Sequence, residues 1–284
     1  MVYNRKTKLV YDEKESLFLK ILYSNVVGRG ILKVFTLKWF TNLGKLYMNS
    51  KLSKLKIKRF IKKNNINMDE YEVAKYNSFD EFFTRRIKSN KRPISDNKKD
   101  LVSPCDSKLS VYEITEDKLF NIKGSTYTLE ELLEDKELAN KYLGGYMLVF
   151  RLCVDDYHHY YYIDNGKRLS TKYIKGKFHT VRPIAHKYVK VFKENCRELT
   201  VLDTENFGQI VQMEVGAMMV GKICNLDKNE FKRGDEKGYF RFGGSTVILI
   251  FEKDKIELDK DILEKSKEDI EVKVQLFETI GRGC

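Results

Sequence analysis

Apolar side chains follow two different spacings along this chain, and the change between them falls near residue 100. Over residues 16–63 they recur at helical spacing between lysines, as in SLFLKILYSNVV and KLSKLKIKRFIKK. Between these two stretches, GILKVFTLKWF places Ile31, Phe35 and Trp39 beside lysines. The pattern predicts amphipathic helices, each with an apolar face and a basic face.

The segment SFDEFFTRRIK predicts a further short helix. It opens on Ser78, a residue suited to cap a helix, and Glu81 follows three positions later, as in a capping box. We expect its three phenylalanines, Phe79, Phe82 and Phe83, to anchor the helix in the core. The polar stretch KRPISDNKKD that follows predicts an exposed connection.

After residue 100, short runs of β-branched and aromatic residues alternate with Gly, Asp and Asn, which predicts strands and turns. These runs include KLSVYEI, YMLVFRLCV, LTVLDT, QIVQMEV and STVILIFE. YTLEELL fits a strand, but the longer YTLEELLEDKELANKYLGG fits a helix as well. We therefore predict an α+β fold, with N-terminal amphipathic helices followed by a largely antiparallel β core. The expected division is a basic helical region over 1–95 and a β-rich domain over 96–284.

The positive charge of the chain is concentrated in its N-terminal third. Residues 1–100 hold 24 Lys and Arg against 10 Asp and Glu, whereas residues 101–284 hold 29 against 31. No acidic residue occurs between Glu15 and Asp69. Such a field attracts an anionic polymer or an anionic membrane, although a solvated helical face would have the same composition. Together with the amphipathic helices, the charge favours contact with a membrane surface.

Several classes of protein are disfavoured by what the sequence contains. Its five cysteines include no CxxC pair, and its four histidines lack zinc-ligand spacing, so we expect reduced thiols and no metal site. No apolar run approaches the roughly 18 residues that a transmembrane helix needs. The N-terminus also lacks the apolar segment of a signal peptide. We expect a peripheral protein on the cytoplasmic face of the cell membrane.

The segment RFGGSTVILIF carries the candidate chemistry, because a Gly-Gly pair precedes a serine that opens an apolar strand. Glycine admits strained backbone and leaves its carbonyl open to attack. The Ser245 hydroxyl could attack the carbonyl of Gly244 and form an ester by an N→O acyl shift. β-Elimination and hydrolysis would then leave a pyruvoyl group at position 245. Alone, such a tetrapeptide is usually an ordinary turn, and Val247 excludes a GxSxG nucleophile elbow.

Six segments of the chain form an ordered set that ends at this serine. They are SFDEFFTRRIK with a following RPI, SPCDSK, DYHH, FHTVRP, VLDTENFGQIVQMEVGAMMVGKI and RGDEKGYFRFGGSTVILIFE. In this order they resemble the phosphatidylserine decarboxylase family, including its Pro-Ala-Asp-Gly, Asp-Tyr-His-Arg and Leu-Gly-Ser-Thr motifs. Gly243 replaces the Leu of the last motif, a change expected only to loosen the turn.

The resemblance implies a self-cleaving proenzyme. Ser245 would be both the processing nucleophile and the precursor of a covalent pyruvoyl cofactor. Cleavage between Gly244 and Ser245 would give chains 1–244 and 245–284, which the strand TVILIFE would keep associated. Asp106 matches the acidic member of the family's Asp-His-Ser relay, in which a carboxylate orients and stabilises the imidazole.

The histidine of that relay is less defined, because the family has two histidines three positions apart. The first is His158, but Tyr161 occupies the second position. Tyrosine has a pKa near 10 and is a poor base at neutral pH, so Tyr161 is expected to position a group or donate a proton. His158 is the first choice for the base that activates Ser245, and His179 is the second.

The implied reaction converts phosphatidylserine to phosphatidylethanolamine and CO2 through a Schiff base to the pyruvoyl group. The implied partner is phosphatidylserine in an anionic membrane, with no nucleic acid, and a homodimer is left open. Two alternatives remain from the residues themselves. One is a pyruvoyl-dependent decarboxylase of a soluble amine, which would not need the basic amphipathic N-terminus. The other is a non-enzymatic lipid- or nucleic-acid-binding module, which would not need the ordered motifs.

Overall fold

The computed structural model describes residues 1–13, 17–25, 27–28, 30–31, 38–115, 119–122, 125–177, 179–186, 188–217, 222–243 and 245–284. Within these ranges a ten-stranded sheet forms the centre of the protein. Its strands are antiparallel to their neighbours except β1 and β17, which run parallel. From edge to edge the order is β13 (Glu230–Phe231), β9 (Gly166–Ile174), β10 (Arg197–Thr204), β11 (Gly208–Gly216), β15 (Ser245–Phe251), β7 (Tyr146–Leu152), β4 (Ser107–Glu113), β17 (Glu271–Val274), β1 (Val2–Asn4) and β2 (Leu9–Tyr11).

Three smaller antiparallel sheets accompany it in the described chain. The first contains β12 (Ile223–Asn225), β14 (Glu236–Phe240) and β8 (His159–Tyr161). The second contains β16 (Ile256–Leu258), β18 (Thr279–Gly283) and β3 (Asp100–Val102). The third is the hairpin of β5 (Leu119–Ile122) and β6 (Ser125–Thr128).

The helices are short and most precede or flank the large sheet. They are α1 (Leu17–Ser24), α2 (Lys38–Asn49), α3 (Ile57–Asn64), α4 (Phe79–Phe83), α5 (Leu129–Leu133), α6 (Lys136–Lys141), α7 (Pro183–His186), α8 (Val191–Glu194) and α9 (Lys260–Lys267). Three 3₁₀ turns add Lys51–Lys56, Met68–Glu70 and Ser89–Lys91. None of these helices is long and apolar enough to cross a membrane.

The central strand β15 is buried along its whole length. It lies between β11 and β7, and both faces of the sheet are covered there, which explains why its sequence is continuously apolar rather than alternating. Side chains of Val247 and Leu249 pack on one face, and those of Ile248 and Ile250 pack on the other. The first residue of this strand, Ser245, is therefore held at the centre of the protein.

The predicted α+β architecture with a largely antiparallel core is confirmed. YTLEELLEDKELANKYLGG forms the end of β6 followed by α5 and α6, so its helical interpretation is the correct one for most of the segment. Helices occur within 16–63 as expected, although Phe35 and the side chain of Trp39 lie outside the described part of the chain.

The first eleven residues differ from the predicted helical region, because they contribute two strands to the large sheet. β1 pairs with β17 near the other end of the chain. Arg5 then forms ion pairs with Asp259, Asp261 and Glu278. The N-terminus is thus part of the β core, and only the segment after it is helical.

Helix α4 forms as its sequence predicts. The Ser78 hydroxyl accepts a hydrogen bond from the Glu81 amide across 3.2 Å, which caps the first turn. Phe79, Phe82 and Phe83 are all buried and pack with residues of α2 and α3. The helix therefore joins the N-terminal helical region to the β core.

Candidate active site

Ser245 is completely buried at the start of β15. Its backbone pairs with Gly216 of β11 on one side and with Leu152 of β7 on the other. Its hydroxyl oxygen has no hydrogen-bond partner among the described residues. A buried hydroxyl normally finds a partner, so the Ser245 oxygen, like the neighbouring Thr246 hydroxyl, is not committed to a contact within the described chain.

Gly243, just before the proposed cleavage site, has a backbone conformation that favours glycine. Gly243 has φ 139°, a backbone conformation that residues with a Cβ rarely adopt. The sequence suggested that glycine at this position only loosens the turn. The structure instead gives it a specific conformation, in which a leucine would be strained. The next residue, Gly244, lies outside the described residues.

His158 is completely buried just before β8, and its surroundings define its protonation. Nδ1 lies 2.9 Å from the carbonyl oxygen of Asp156. Because a carbonyl can only accept, Nδ1 must carry the hydrogen, and the lone pair of the neutral ring is then on Nε2. Burial lowers the pKa of His158 to about 4, so the ring is neutral at physiological pH. Nε2 is buried and, within the described chain, has no hydrogen-bond partner.

Phe83 of α4 connects His158 to the segment that precedes Ser245. Its ring centroid is 4.2 Å from that of His158 and 5.1 Å from that of Phe242. The candidate base and the candidate cleavage segment therefore both pack against helix α4. A hydrogen bond between His158 and Ser245 is not formed in the described residues, where both candidate reacting atoms are without partners.

Asp106 lies near the same end of the sheet as Ser245. Lys108, two residues after Asp106, and Thr246, the residue after Ser245, both pair with Arg151, so the three form one row across β4, β7 and β15. Its carboxylate accepts two hydrogen bonds from the Arg92 guanidinium, at 3.1 and 2.8 Å.

The backbone amide of Leu276 adds a third hydrogen bond to Asp106, at 2.7 Å. These three donors use both carboxylate oxygens, and no histidine among the described residues contacts them. In the described residues, the Asp106 carboxylate therefore forms an ion pair with Arg92 and makes no contact with His158.

His179 is held one strand away from Ser245 by Asn195. The Asn195 amide nitrogen donates to the carbonyl oxygens of His179 and Gly216, each across 2.8 Å, and its oxygen accepts from the His179 amide at 2.9 Å. Burial lowers the pKa of His179, and Glu194 is 3.6 Å from its Nε2. Asn195 was not predicted as a site residue, because nothing in KENCRELT distinguishes a buried bridging amide from a solvated one.

Tyr161 turns away from His158. Its hydroxyl is 3.1 Å from that of Tyr157, and its ring packs edge-on against Phe277 at 5.2 Å. Burial raises the pKa of Tyr161, which makes it a still weaker base than an exposed tyrosine. Tyr161 is therefore a poor candidate for the base, and His158 and His179 remain the candidates for proton transfer at Ser245.

Asp156 of the DYHH segment has a role that its sequence did not predict. Its carbonyl accepts from His158, while its carboxylate accepts from the Cys153 amide at 2.7 Å and pairs with Lys108 at 3.1 Å. The residue is therefore fixed from two sides and holds the imidazole in one tautomer. A carbonyl contact of this kind has no signature in a sequence.

Comparison with known proteins identifies the class of molecule. The family model of phosphatidylserine decarboxylase matches residues 79–282. Phosphatidylserine decarboxylase proenzyme 2 of Clostridium acetobutylicum is 50% identical over 283 residues, which cover 99% of this chain and 97% of that protein. The proenzyme of Clostridium tetani is 44% identical over 288 residues, with 99% and 97% covered. These matches define a decarboxylase, a carboxy-lyase.

The chain belongs to the phosphatidylserine decarboxylase family. The match to the relatives extends over nearly the whole chain and so includes the N-terminal strands and helices that precede the family model.

Proposed function

We propose that this enzyme cleaves itself between Gly244 and Ser245, converts Ser245 to a pyruvoyl group, and then decarboxylates phosphatidylserine to phosphatidylethanolamine and CO2. The observation that carries the proposal is the state of Ser245. Its hydroxyl is buried and without a partner among the described residues, directly after a turn that Gly243 holds in an unusual conformation. Relatives named as proenzymes support a processing step.

The processing step begins with a proton transfer for which His158 is suited. Nε2 of the neutral ring takes the proton of the Ser245 hydroxyl, and the oxygen attacks the carbonyl carbon of Gly244. The C–N bond between these two residues breaks, and the freed nitrogen takes up the proton. An ester between Gly244 and the Ser245 oxygen is the result.

Elimination then separates the two chains. A base removes the α-proton of residue 245, the Cβ–Oγ bond breaks, and Gly244 leaves as a carboxylate. The remaining dehydroalanine tautomerises to an imine, water adds, and ammonia departs, which leaves the pyruvoyl group. His158 and His179 are the two candidates for the base. Asp106 is bonded to Arg92, so we propose that it stabilises one of these histidines only after it has released Arg92.

The two chains are expected to stay together because β15 lies in the middle of the large sheet. Residues 245–251 pair with β11 on one side and with β7 on the other along the whole strand. β17, also part of the small chain, pairs with β1 and β4. Cleavage at Gly244 breaks none of these pairings.

The pyruvoyl group, once formed, supplies a carbonyl that condenses with the substrate amine and draws off the electrons released with CO2. The surrounding residues fit this group. Position 245 is completely buried, and Phe83 covers His158, so bulk water is kept from the base. His158 remains available to move a proton at Nε2.

Docking on the membrane is proposed for the helical segment 16–63. Leu46, Leu52 and Leu55 are 69%, 70% and 82% exposed, next to the exposed Lys51 and Lys54. Large apolar side chains among lysines suit insertion at an anionic bilayer surface, where each basic residue adds about 1 kcal/mol of attraction. A diacyl lipid remains in its bilayer, so an enzyme that acts on it must approach in this way. The cytoplasmic face of the membrane, as a peripheral site, is part of the same proposal.

Intact mass spectrometry of the purified protein tests the proposed processing, with Ser245→Ala beside it. We expect two wild-type chains split between Gly244 and Ser245, the smaller one carrying pyruvoyl in place of serine, and one uncleaved chain for the variant. A single unmodified full-length wild-type chain would contradict the proposal.

The substrate is tested separately with the matured enzyme. We expect CO2 release from vesicles that contain phosphatidylserine and none from soluble amino acids. The reverse result would favour the alternative decarboxylase of a soluble amine. Membership in a decarboxylase family argues against the alternative of a non-enzymatic binding module.

A further inference from the structure

Helix α4 binds the chain just before the proposed cleavage site through Asp80. Arg241 donates from Nε to Asp80 Oδ2 across 2.7 Å, and its Nη2 contacts the same oxygen. The amide of the next residue, Phe242, donates to Asp80 Oδ1 at 3.4 Å. Asp80 is 4% exposed, so one buried carboxylate receives donors from two consecutive residues of the cleavage segment.

The ring of Phe242 is held by the same helix. It packs edge-on against Phe79 and Phe83, with centroid distances of 5.1 Å in each case. Phe83 also contacts His158, at 4.2 Å. Helix α4 therefore lies between the segment that carries the scissile bond and the histidine proposed as base.

Contacts on the other side of α4 fix the helix independently of the cleavage segment. The Phe79 amide donates to the Ser53 hydroxyl across 2.8 Å, and Ser78 caps the first turn. Phe60 of α3 packs edge-on against Phe79 at 5.0 Å. The helix thus has contacts with the N-terminal helical region in addition to those with the cleavage segment.

The distance from Phe242 to the scissile bond is short. Gly244 is two residues beyond Phe242, and two residues span at most about 7 Å. Fixing the ring and amide of Phe242 therefore restricts the chain immediately before the scissile bond. Gly243, between Phe242 and the scissile bond, has a positive φ of 139°.

We propose that α4 acts as a clamp for maturation, in which Asp80 and the Phe242 pocket of α4 hold the segment before the scissile bond in position for self-cleavage. Asp80 is then a positioning residue of the self-cleavage proposed above, on which this role rests. Loss of position by about 1 Å can slow an intramolecular reaction about 100-fold, so the clamp has a measurable consequence.

The first test follows the appearance of the small chain over time in freshly synthesised full-length protein. We expect Asp80→Ala to slow self-cleavage about 10- to 100-fold. Asp261→Ala is the matched control, because Asp261 also receives two hydrogen bonds from one arginine, Arg5, at 2.9 and 3.2 Å. The control should cleave at the wild-type rate. Thermal unfolding of both variants shows whether they are folded.

Arg241→Gln and Arg241→Lys keep the test valid if Asp80→Ala fails to fold. Arg241 is part-exposed, and its other described side-chain contact is Asn49 Oδ1 at 2.9 Å, so its replacement leaves α4 intact. The lysine variant retains a charged donor and should cleave faster than the glutamine variant. A purely stabilising ion pair would shift the melting temperature without this order of cleavage rates.

Treatment with hydroxylamine tests whether the clamp acts on ester formation, the first step of self-cleavage. It attacks the Gly244 ester, forms a hydroxamate there and releases a small chain that begins with serine. We expect less of this product from Asp80→Ala than from the wild type early in the reaction. Wild-type rates in Asp80→Ala and Arg241→Gln would overturn the clamp and leave the proposed self-cleavage intact. An uncleaved wild type would overturn self-cleavage itself.

Discussion

The Nδ1 atom of His158 donates its hydrogen to the carbonyl oxygen of Asp156 across 2.9 Å. This contact decides the chemistry available to the ring, since it leaves the basic lone pair on Nε2. In a Ser-His-Asp triad a carboxylate has this orienting role and also stabilises the imidazolium. A carbonyl orients the ring with less electrostatic stabilisation of the charged form, which agrees with the lowered pKa of His158.

Replacement of His158 should block maturation. We expect His158→Gln to slow self-cleavage by about 100-fold or more, because a positioned general base contributes roughly 10²- to 10⁴-fold. His179→Gln is the comparison, since His179 is also buried and lies near Ser245 through Asn195. The measurement is the fraction of small chain against time. A normal rate in His158→Gln with an uncleaved His179→Gln would assign the base to His179.

Burial of His158 should make the folded protein less stable in mild acid. The folded pKa is about 4 and the unfolded value is about 6.5, so between these pH values the unfolded chain binds a proton that the folded chain does not. The free energy of unfolding therefore falls as pH falls from 6.5 to 4, by about 3 kcal/mol in all. Above pH 6.5 this residue contributes no pH dependence.

Urea unfolding of the uncleavable Ser245→Ala protein measures this effect. We expect a second substitution, His158→Gln, to flatten the decline of stability between pH 6.5 and 4.5. An unchanged decline in the double variant would mean that His158 titrates in the folded state near its ordinary pKa.

A side chain at position 243 should disturb the turn before the cleavage site. An alanine with φ 139° is strained by about 1–3 kcal/mol, so Gly243→Ala should lower the melting temperature and slow self-cleavage. Gly44→Ala is the control, because Gly44 lies in α2 and an added Cβ meets no described atom within 4 Å. That change should leave cleavage alone and stabilise the helix slightly. Normal cleavage and stability in Gly243→Ala would show that the turn accommodates a side chain.

Local patterns predicted the parts of the fold that local interactions determine. The cap and the three buried phenylalanines of α4 are visible in SFDEFFTRRIK. The strands β1 and β2 were not predicted, because a three-residue strand is stabilised by distant partners. Val2–Asn4 depends on Glu271–Val274, and the two segments are separated by most of the chain. Pairing of this kind leaves no period in the sequence.

The candidate site shows the same limit at the level of single atoms. The resemblance to the family predicted that Ser245, His158 and Asp106 form one Asp-His-Ser relay. The structure places Asp106 against Arg92, and it orients His158 through a backbone carbonyl. Neither contact changes the hydrophobic pattern or the motifs, so only the three-dimensional arrangement reveals them.

The clamp gives the N-terminal helices a structural role in addition to the proposed membrane docking. The N-terminal helices reach the cleavage segment both directly, where Arg241 donates to Asn49 of α2, and through the cluster that Met48 and Ile57 share with α4 and Phe242. A deletion of residues 16–63 would therefore damage α4 as well as the proposed docking surface. Single substitutions on the exposed face of these helices separate the two roles.

Three exposed leucines are expected to carry much of the membrane contact. Leu46, Leu52 and Leu55 replaced together by serine should abolish flotation with phosphatidylserine-containing vesicles, because each loses about 1.5–3 kcal/mol of apolar burial in the bilayer surface. The control replaces Leu169 and Leu226, which are 44% and 39% exposed on the β-rich part of the chain, and should float normally. Self-cleavage should proceed in both variants, since these side chains are exposed and none of them belongs to the apolar cluster around α4. Unchanged flotation of the triple variant would move the docking surface elsewhere on the protein.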